Sequence, residues 1–401
     1  MRVARDGLTP VRRALIAGAG IAGLSTALAL AKAGLEAVIF ERVPALEEFG
    51  AGLQLSPNAT RVLAELGALP SVATLASAPR AIRILRGRDD AALAALDLTG
   101  AVARWGAPYL VIHRADLQRR LVELCARERR IELRLGQELV GYGADTDKVR
   151  ATLKRGLLTI SEEGDLLVGA DGLGSRVREK LGLGEVDAPA FAGRIAFRAT
   201  LAASALAPAA PVVTLRLGPR AHLVQYPLRD GAYVNLVAVI ESGWRGGRSE
   251  NPWDGEADRA ALTRAFADWS RPARALIALP KTWRAWPLYA RPPLAAYAAG
   301  RVALAGDAAH PMVPFLAQGA AQAIEDAGAL ARALKAHDDP AAALAAYSAA
   351  RVARGARVQR EAMRQAQIYH MSGPLSLARD LAMRALGPDR LLRRYDWLYG
   401  A

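Results

Sequence analysis

Three glycines at fixed spacing constrain the fold of this chain more than any other feature. Gly18, Gly20 and Gly23 follow a short apolar segment, Arg13 to Ala17, and precede an alanine- and leucine-rich segment, Ile21 to Ala33. Between a strand and a helix, this Gly-x-Gly-x-x-Gly pattern permits a tight turn, close helix–strand packing and approach of a pyrophosphate to bare backbone. We therefore predict an α/β fold that begins with a dinucleotide-binding βαβ unit.

Glu41 strengthens this interpretation. It ends the second predicted strand, Ala37 to Phe40, and lies 21 residues after Gly20, where a carboxylate can accept hydrogen bonds from adenosine ribose hydroxyls. This pattern alone does not distinguish NAD from FAD. The apolar run from Ala14 to Leu30, behind Arg12-Arg13, imitates a signal peptide or a membrane span, but its three glycines favour the nucleotide-binding turn.

Composition and charge exclude several classes of protein. The 401 residues are 52% apolar and 23% charged, which excludes disorder and small disulfide scaffolds. The net charge of +14 comes from 47 arginines and six lysines that are scattered rather than clustered, so we expect neither a nucleic-acid nor a membrane partner. The single cysteine, Cys125, allows no intramolecular disulfide or multi-thiolate metal site, and we expect a cytoplasmic protein without a metal.

In two later segments, a predicted strand again leads into a turn, this time one that contains an aspartate. A strand at Leu166 to Val168 leads into Asp171-Gly172, and a strand at Val302 to Leu304 leads into Asp307. Gly319 and Ala320 then begin a long predicted helix, whose first N–H groups are free to bind an anionic group.

With these motifs in this order, the chain resembles the single-component FAD-dependent aromatic hydroxylases, which include p-hydroxybenzoate, salicylate and 3-hydroxybenzoate hydroxylases. The resemblance covers roughly residues 10–345. It implies a Rossmann-like FAD-binding domain of the glutathione-reductase type, an inserted β-sheet substrate domain and a C-terminal helical region. It also implies cofactor contacts from Gly18, Gly20, Ala22, Gly23, Glu41, Arg42, Arg114, Gln118, Asp171, Asp307, Gly319 and Ala320.

The resemblance implies a reaction as well. NADH or NADPH would reduce FAD, and O2 would form a flavin C4a-hydroperoxide that hydroxylates a small phenolic or heteroaromatic acid. The chain has no second Gly-x-Gly-x-x-Gly, which fits transient binding of NAD(P)H. Two alternatives stay open: a dehydrogenase, reductase or halogenase of the same fold, and a flavin-binding protein without hydroxylase activity. The segment Trp283 to Pro287 does not match the Trp-x-Trp-x-Ile-Pro motif of flavin halogenases.

The predicted organisation is a discontinuous cofactor domain with an insertion. We assign residues 1–75, 101–185 and 287–345 to FAD binding, residues 76–100 and 186–286 to a β-rich substrate domain, and residues 346–401 to a helical tail that breaks at Gly373-Pro374. Ser56 is predicted to cap a helix that begins at Pro57. We expect a monomer or a homodimer.

Candidate substrate residues lie on one predicted strand. His222, Val224 and Tyr226 alternate, so their side chains share one face of the sheet. His222 is the candidate base that removes a phenolic proton, with a pKa near neutrality, and Tyr226 its polar partner. An ordinary sheet core is the alternative. Pro314 and Phe315 belong to an apolar loop beside the flavin; the resemblance suggests a glutamine near this loop in some 3-hydroxybenzoate hydroxylases, which weakens assignment to that substrate.

The remaining candidates receive structural interpretations. Arg198 could pair with a substrate carboxylate, but among so many arginines we expect a solvated strand residue. His113 and His310 are expected to fix loops through hydrogen bonds. His337 and His370 are expected to be exposed helix residues.

Overall fold

A computed structural model describes residues 13–46, 51–183, 188–205, 210–243, 255–256 and 259–400. Residues 1–12, which include Arg12 and the start of the predicted cofactor domain, lie outside the described residues, as do parts of the predicted substrate domain.

A six-stranded sheet carries the glycine-rich turn. Its central strand β1 is continuously apolar and almost wholly buried after Arg13, as is typical of a strand inside a parallel sheet. In spatial order the strands are β18 (Ala298–Ala299), β19 (Val302–Leu304), β11 (Leu166–Gly169), β1 (Arg13–Ala17), β2 (Glu36–Glu41) and β7 (Ile131–Leu135). All neighbouring pairs are parallel except β18–β19. The predicted strands β1 and β19 are confirmed.

Helices and two small sheets complete this part of the chain. Helix α1 (Ile21–Lys32) packs against both α5 (Arg114–Arg127) and α9 (Gly319–Ala336). Strands β3 (Gly52–Leu55) and β6 (Leu110–His113) pair with each other. The remaining elements of this part of the chain are a three-stranded antiparallel sheet and four shorter helices: β8 (Glu138–Ala144), β9 (Val149–Arg155), β10 (Leu158–Gly164), α2 (Pro57–Glu65), α3 (Leu69–Ala73), α4 (Ala101–Trp105) and α6 (Arg176–Leu181).

An eight-stranded sheet forms the second layer, with strands from both predicted insertions. Its spatial order is β16 (Gly255–Glu256), β17 (Arg284–Ala290), β12 (Ala190–Ala202), β15 (Tyr233–Glu241), β14 (Ala221–Leu228), β13 (Val213–Gly218), β4 (Ala81–Arg86) and β5 (Ala92–Asp97). The predicted strand that carries His222, Val224 and Tyr226 is confirmed as β14. Two helices that the β-rich pattern did not predict, α7 (Arg259–Ala265) and α8 (Arg271–Ala278), contribute Leu262 and Ile277 to an apolar cluster with one face of this sheet.

Three helices end the chain: α10 (Pro340–Tyr369), α11 (Gly373–Arg393) and α12 (Asp396–Tyr399). Helix α10 runs without interruption across the domain boundary that we placed between residues 345 and 346. The helical path breaks after Tyr369, close to the predicted Gly373-Pro374, where Gly373 has a φ of +56°. In the described part of the chain, no helix is long and apolar enough to cross a bilayer.

Candidate active site

The glycine-rich turn combines tight packing with one open position. A Cβ atom on Gly18, whose φ is +100°, would lie 2.5 Å from the carbonyl oxygen of Ala170, and one on Gly23 would lie 1.9 Å from the carbonyl oxygen of Gly18. A Cβ atom on Gly20 would meet no atom within 4 Å, and no side chain caps α1 at Gly20. Free N–H groups and open space at a helix N-terminus suit a pyrophosphate, so these residues fit FAD.

Glu41 and Gln118 hold the same turn from two sides. Oε2 of Glu41 accepts a hydrogen bond from the Ala19 N–H at 2.8 Å, and Nε2 of Gln118 donates one to the Ala19 carbonyl at 2.9 Å. Arg42 is exposed beside Glu41. Ala22 faces the third motif, because a Cβ atom on Gly306 would lie 2.8 Å from the Cβ of Ala22. The predicted cofactor residues of the first motif are therefore contiguous with those around Asp307.

The carboxylate of Asp171 is bonded to the start of its own helix. It accepts hydrogen bonds from the Ser175 hydroxyl at 2.5 Å and from the N–H groups of Arg176 and Val177 at 2.8 and 3.3 Å. Burial raises the pKa of Asp171 above its ordinary value, and these hydrogen bonds oppose that shift. Asp171 thus fixes the turn that it shares with Gly172, whose φ is +79°.

Asp307 and Arg114 lie close enough for the charge of each to shift the pKa of the other. Asp307 is exposed to the cleft, yet protein atoms surround it and raise the pKa of its carboxyl, while the charges of His310 and Arg114 oppose that shift. Arg114 is half-buried at the start of α5, where burial lowers its pKa and Asp307 opposes the change. Two predicted cofactor residues that are distant in sequence thus lie within electrostatic range of each other.

Helix α9 presents a second open N-terminus. Its N-cap residue, Gln318, makes no side-chain cap, and a Cβ atom on Gly319 would meet nothing within 4 Å. The Gln318 amide is instead buried against α2, where it donates to the Ser56 hydroxyl at 2.8 Å and accepts from Asn58 at 3.0 Å. The N–H groups at Gly319 and Ala320 therefore stay available to a flavin ring.

These contacts correct the prediction for Ser56. It occupies the N-cap position of α2 but makes no side-chain cap hydrogen bond. Its hydroxyl donates to Oδ1 of Asn58 at 2.6 Å and accepts from Gln318, because the two elements meet here. Sequence reasoning did not single out Asn58 or the side chain of Gln318, since only the packing of α2 on α9 brings them together.

The eight-stranded sheet turns a specific set of side chains toward the cofactor layer. Cross-strand partners are His222 with Val239, Val224 with Val237, and Tyr226 with Asn235. Arg198 is paired with Val237 from the other side. Directly paired residues share a face, so His222, Val224, Tyr226 and Arg198 all lie on one side of the sheet.

The middle of this face is less buried than its two ends. Val224, Val237 and Arg198 are half-buried, whereas His222 and Tyr226 at the two ends are buried. The loop after Asp307 covers the His222 end with Phe315, whose ring centroid is 5.1 Å from that of the imidazole. We call the space bounded by His222, Val224, Tyr226, Val237, Arg198 and Phe315 the chamber.

His222 is held from behind by a second histidine. Its Nδ1 lies 2.8 Å from Nε2 of His370, and its ring also packs against Tyr369, with centroids 5.3 Å apart. Burial lowers the pKa of His222 well below its ordinary value, helped by the neighbouring His370 and Arg194. The expectation of a pKa near neutrality is therefore wrong, because the sequence pattern did not reveal this burial.

Tyr226 closes the other end of the chamber. A Cβ atom on Gly52 would lie 2.6 Å from the Tyr226 hydroxyl, so the ring reaches β3 of the cofactor layer. Asn235, its cross-strand partner, accepts a hydrogen bond from the Gly52 N–H at 2.7 Å. Burial raises the pKa of Tyr226 above its ordinary value, and the nearby Arg198 opposes that shift. Tyr226 is thus a neutral hydrogen-bonding group.

Two expectations for basic residues are wrong. Arg198 is not a solvated strand residue: its guanidinium carbon lies 5.2 Å from the ring centroid of Trp286, and its buried Nε has no hydrogen-bond partner among the described residues. His370 is buried rather than exposed, because it ends α10 against β14. His337 is exposed, as predicted.

The loop that contains Pro314 begins with a buried histidine. Nε2 of His310 lies 2.6 Å from Oδ2 of Asp326, and His113 accepts a hydrogen bond from the Ala115 N–H at 3.3 Å, so both fix loops as predicted. Pro314 is half-buried and starts a 3-10 turn that places Phe315. Within the described ranges, no three His, Cys, Asp or Glu residues are grouped as they would be around a metal ion.

Comparison with known proteins identifies the family of this chain. The family described as "FAD binding domain" matches residues 12–362. The 3-hydroxybenzoate 6-hydroxylase 1 of Aquipseudomonas alcaligenes is 38% identical over 96% of this chain and 97% of its own length.

Solved structures share the fold of this chain. The structure of Klebsiella pneumoniae HpxO with FAD and uric acid has a TM-score of 0.85 at 27% identity, covering 96% of this chain and 95% of that one. A salicylate hydroxylase substrate complex has a TM-score of 0.83 at 26% identity, covering 98% and 96%. The chain therefore belongs to the family of FAD-dependent aromatic hydroxylases, monooxygenases that draw their electrons from NAD(P)H.

Proposed function

We propose that this chain hydroxylates a small phenol that carries a carboxylate, with NAD(P)H and O2 as co-substrates. The observation that carries the proposal is the shared face of His222, Tyr226 and Arg198 around the half-buried pair Val224 and Val237. A benzene ring would lie against the two valines. This arrangement offers a basic nitrogen, a phenolic hydroxyl and a guanidinium to one small aromatic molecule.

Each polar group has a distinct task in this proposal. Nε2 of His222, which makes no hydrogen bond to the described residues, receives the proton of the substrate hydroxyl. Loss of that proton raises the electron density of the ring, as attack by an electrophilic oxygen requires. Tyr226 donates a hydrogen bond to the substrate. Bound FAD supplies the activated oxygen, and the cleft of Gly20, Asp307 and Gly319 would hold it.

Arg198 is assigned to the carboxylate. Its Nε is buried without a partner among the described residues, and a guanidinium binds a carboxylate through two parallel hydrogen bonds. Arg114 adds a second positive charge nearby, since it disfavours the charged form of Arg198. An anionic substrate would offset the cost of holding these two charges together.

The test is a screen of NAD(P)H oxidation against hydroxybenzoates, hydroxypyridine carboxylates and the corresponding phenols without a carboxylate. Products are checked by mass for one added oxygen. We expect hydroxylation of at least one phenolic acid, and Arg198→Gln should lower kcat/KM for that acid about 10- to 100-fold, the worth of a charge-assisted hydrogen bond. Arg83 of β4 is exposed on the opposite face of the same sheet, because its partner Thr214 pairs with Gln225, so Arg83→Gln is the matched control.

The outcomes separate the two parts of the proposal. NAD(P)H oxidation that yields only hydrogen peroxide with every compound would refute hydroxylation of this class. A preferred substrate without a carboxylate, or equal effects of the two arginine substitutions, would remove Arg198 from recognition.

We also propose that the enzyme is cytoplasmic and acts as a monomer or a homodimer. The single cysteine supports a reducing compartment, since Cys125 is buried and cannot form an intramolecular disulfide. Sedimentation of the FAD-loaded protein distinguishes the two assembly states.

A further inference from the structure

A line of nitrogen and oxygen atoms runs from the chamber to the protein surface. Nδ1 of His222 lies 2.8 Å from Nε2 of His370, and Nδ1 of His370 lies 3.5 Å from Oε1 of Glu241. Both imidazoles are buried, whereas the Glu241 side chain is 36% exposed. The line therefore starts at a chamber residue and ends at a carboxylate in contact with solvent.

The contact between the two histidines constrains where their protons lie. At 2.8 Å, one ring nitrogen must carry a hydrogen and the other must accept it. If His222 donates, Nε2 of His222 faces the chamber as a base and Nδ1 of neutral His370 carries a proton toward Glu241. If His370 donates, Nε2 of His222 carries the proton, and Nδ1 of His370 is an acceptor.

The surroundings of His370 accommodate both arrangements. Nε of Arg194 donates to Nδ1 of His370 at 3.3 Å, which suits the arrangement in which that nitrogen is an acceptor. Glu241 stands 3.5 Å from the same atom and suits the arrangement in which it carries a proton. Because one donor and one acceptor flank this nitrogen, it keeps one hydrogen-bonding partner in either protonation state.

We propose that His222, His370 and Glu241 form a proton relay that carries the hydroxyl proton of the bound phenol to solvent. The relay deepens the proposed function and rests on it. In one passage the substrate O–H bond breaks and a bond forms at Nε2 of His222, Nδ1 of His222 gives its proton to Nε2 of His370, and Nδ1 of His370 gives its proton to Glu241. The substrate becomes a phenolate, and Glu241 releases one proton to water.

Proton transfer in the reverse direction returns the relay to its starting protonation state. A proton that enters at Glu241 reaches Nε2 of His222 and neutralises a phenolate in the chamber. Neither step needs an oxidant or a reductant. His222 is therefore a catalytic residue in this proposal, whereas His370 and Glu241 act through it.

Burial and nearby positive charges keep the imidazoles of the relay neutral between proton transfers. Burial lowers the pKa of His370 to about 3, and the positive charges of Arg194 on β12 and Arg379 on α11 contribute. Arg220, in the turn before β14, lies 4.0 Å from the Glu241 carboxylate, and Arg194 lies 3.4 Å from it. Because these cations disfavour an imidazolium, a proton that enters the line is passed on rather than retained.

The test measures single-turnover hydroxylation by the reduced, FAD-loaded enzyme mixed with O2, with two probes. The first is 3-hydroxybenzoate, and the second is a ring-fluorinated 3-hydroxybenzoate whose phenol ionises more readily in solution. We expect His370→Phe to slow hydroxylation of the first probe at least about 100-fold and to affect the second much less, because a phenolate needs no relay. Added imidazole should restore part of the rate in His370→Ala.

Glu241→Gln provides a surface variant that does not depend on refilling a buried site. We expect it to slow the first probe selectively as well, whereas Glu36→Gln, which removes an exposed carboxylate at the start of β2 and outside the relay, should behave as wild type. Equal slowing of both probes by His370→Phe, or wild-type rates in both relay variants, would overturn the relay. A wild-type enzyme that hydroxylates neither probe nor any phenol of the screen would instead refute the proposed function.

Discussion

Nε of Arg351 lies 2.7 Å from Oδ1 of Asp326, and both side chains are almost completely buried. The other carboxylate oxygen of Asp326 accepts a hydrogen bond from the Gly306 N–H at 2.8 Å and faces His310. The residues on both sides of Asp307 are thus braced by one carboxylate, which a single arginine of α10 holds in place. The ion pair connects the C-terminal helices to the cofactor cleft.

Replacing Arg351 by Met should destabilise the protein by about 3–5 kcal/mol, because a buried carboxylate loses its counter-charge. FAD should also bind more weakly, since the braced turn carries Asp307. Urea unfolding of the FAD-free protein and a fluorescence titration with FAD measure the two effects. Arg86→Met removes a half-exposed surface pair with Asp89 and should cost less than about 1 kcal/mol. Equal losses in the two variants would contradict the bracing role.

Alanine substitutions at two glycines of the first motif should have different effects. Gly20→Ala places a methyl group in open space where the pyrophosphate is expected, so the protein should fold normally but bind FAD at least about 10-fold more weakly. Gly23→Ala places one 1.9 Å from a backbone oxygen, so it should destabilise the fold itself. Unfolding curves and FAD titrations distinguish the two. Normal FAD affinity in Gly20→Ala would show that the phosphates lie elsewhere.

Continuous apolar runs and motif spacing made the cofactor layer predictable. Strand β1 is buried on both faces, so its sequence is apolar at every position after Arg13, and its bounds were predicted without error. Helix α8 was missed because it is only eight residues long and carries a proline near its start, within a region dominated by strands. Short helices take their stability from packing, which the local sequence does not contain.

The site residues also divide into those that the local sequence predicts and those that only tertiary packing brings together. Alternation placed His222 and Tyr226 on one face, because the period of a strand is fixed. It could not reveal that His370 lies behind His222, since 148 residues separate them and only the docking of α10 joins them. The partnership of Arg198 with Trp286 is likewise a contact between neighbouring strands whose pairing the sequence did not show.

Position 317 should favour glycine over the alanine that it carries. Its φ of +54° and ψ of +36° lie in the left-handed region, where a Cβ atom is strained. Ala317→Gly should therefore stabilise the protein by about 1 kcal/mol. Ala345→Gly, at an exposed position inside α10, should have the opposite sign and a similar size. Chemical denaturation of the two variants checks the signs, and destabilisation by Ala317→Gly would show that this strain is absent.

Removal of the chamber imidazole should separate the two halves of the catalytic cycle. His222→Gln should slow hydroxylation about 10²- to 10⁴-fold, the usual contribution of a general base, while NAD(P)H still reduces the flavin. Stopped-flow absorbance under anaerobic and aerobic conditions resolves the two steps. His337→Gln, at an exposed helix end, is the matched control and should leave both unchanged. Unchanged hydroxylation in His222→Gln would exclude a base at this position.

Stability should fall as the pH drops from 6.5 toward 5, because two buried histidines resist protonation. The pKa of His370 is lowered to about 3 and that of His222 lies well below its ordinary value, whereas both titrate near 6.5 in the unfolded chain. The unfolded state then binds more protons, so each histidine should remove about 1.4 kcal/mol per pH unit below 6.5. Above pH 7 this contribution is fully present. In urea unfolding at a series of pH values, His370→Phe should show about half of this loss between pH 6 and pH 5; a slope equal to that of wild type would mean that His370 is protonated in the folded protein.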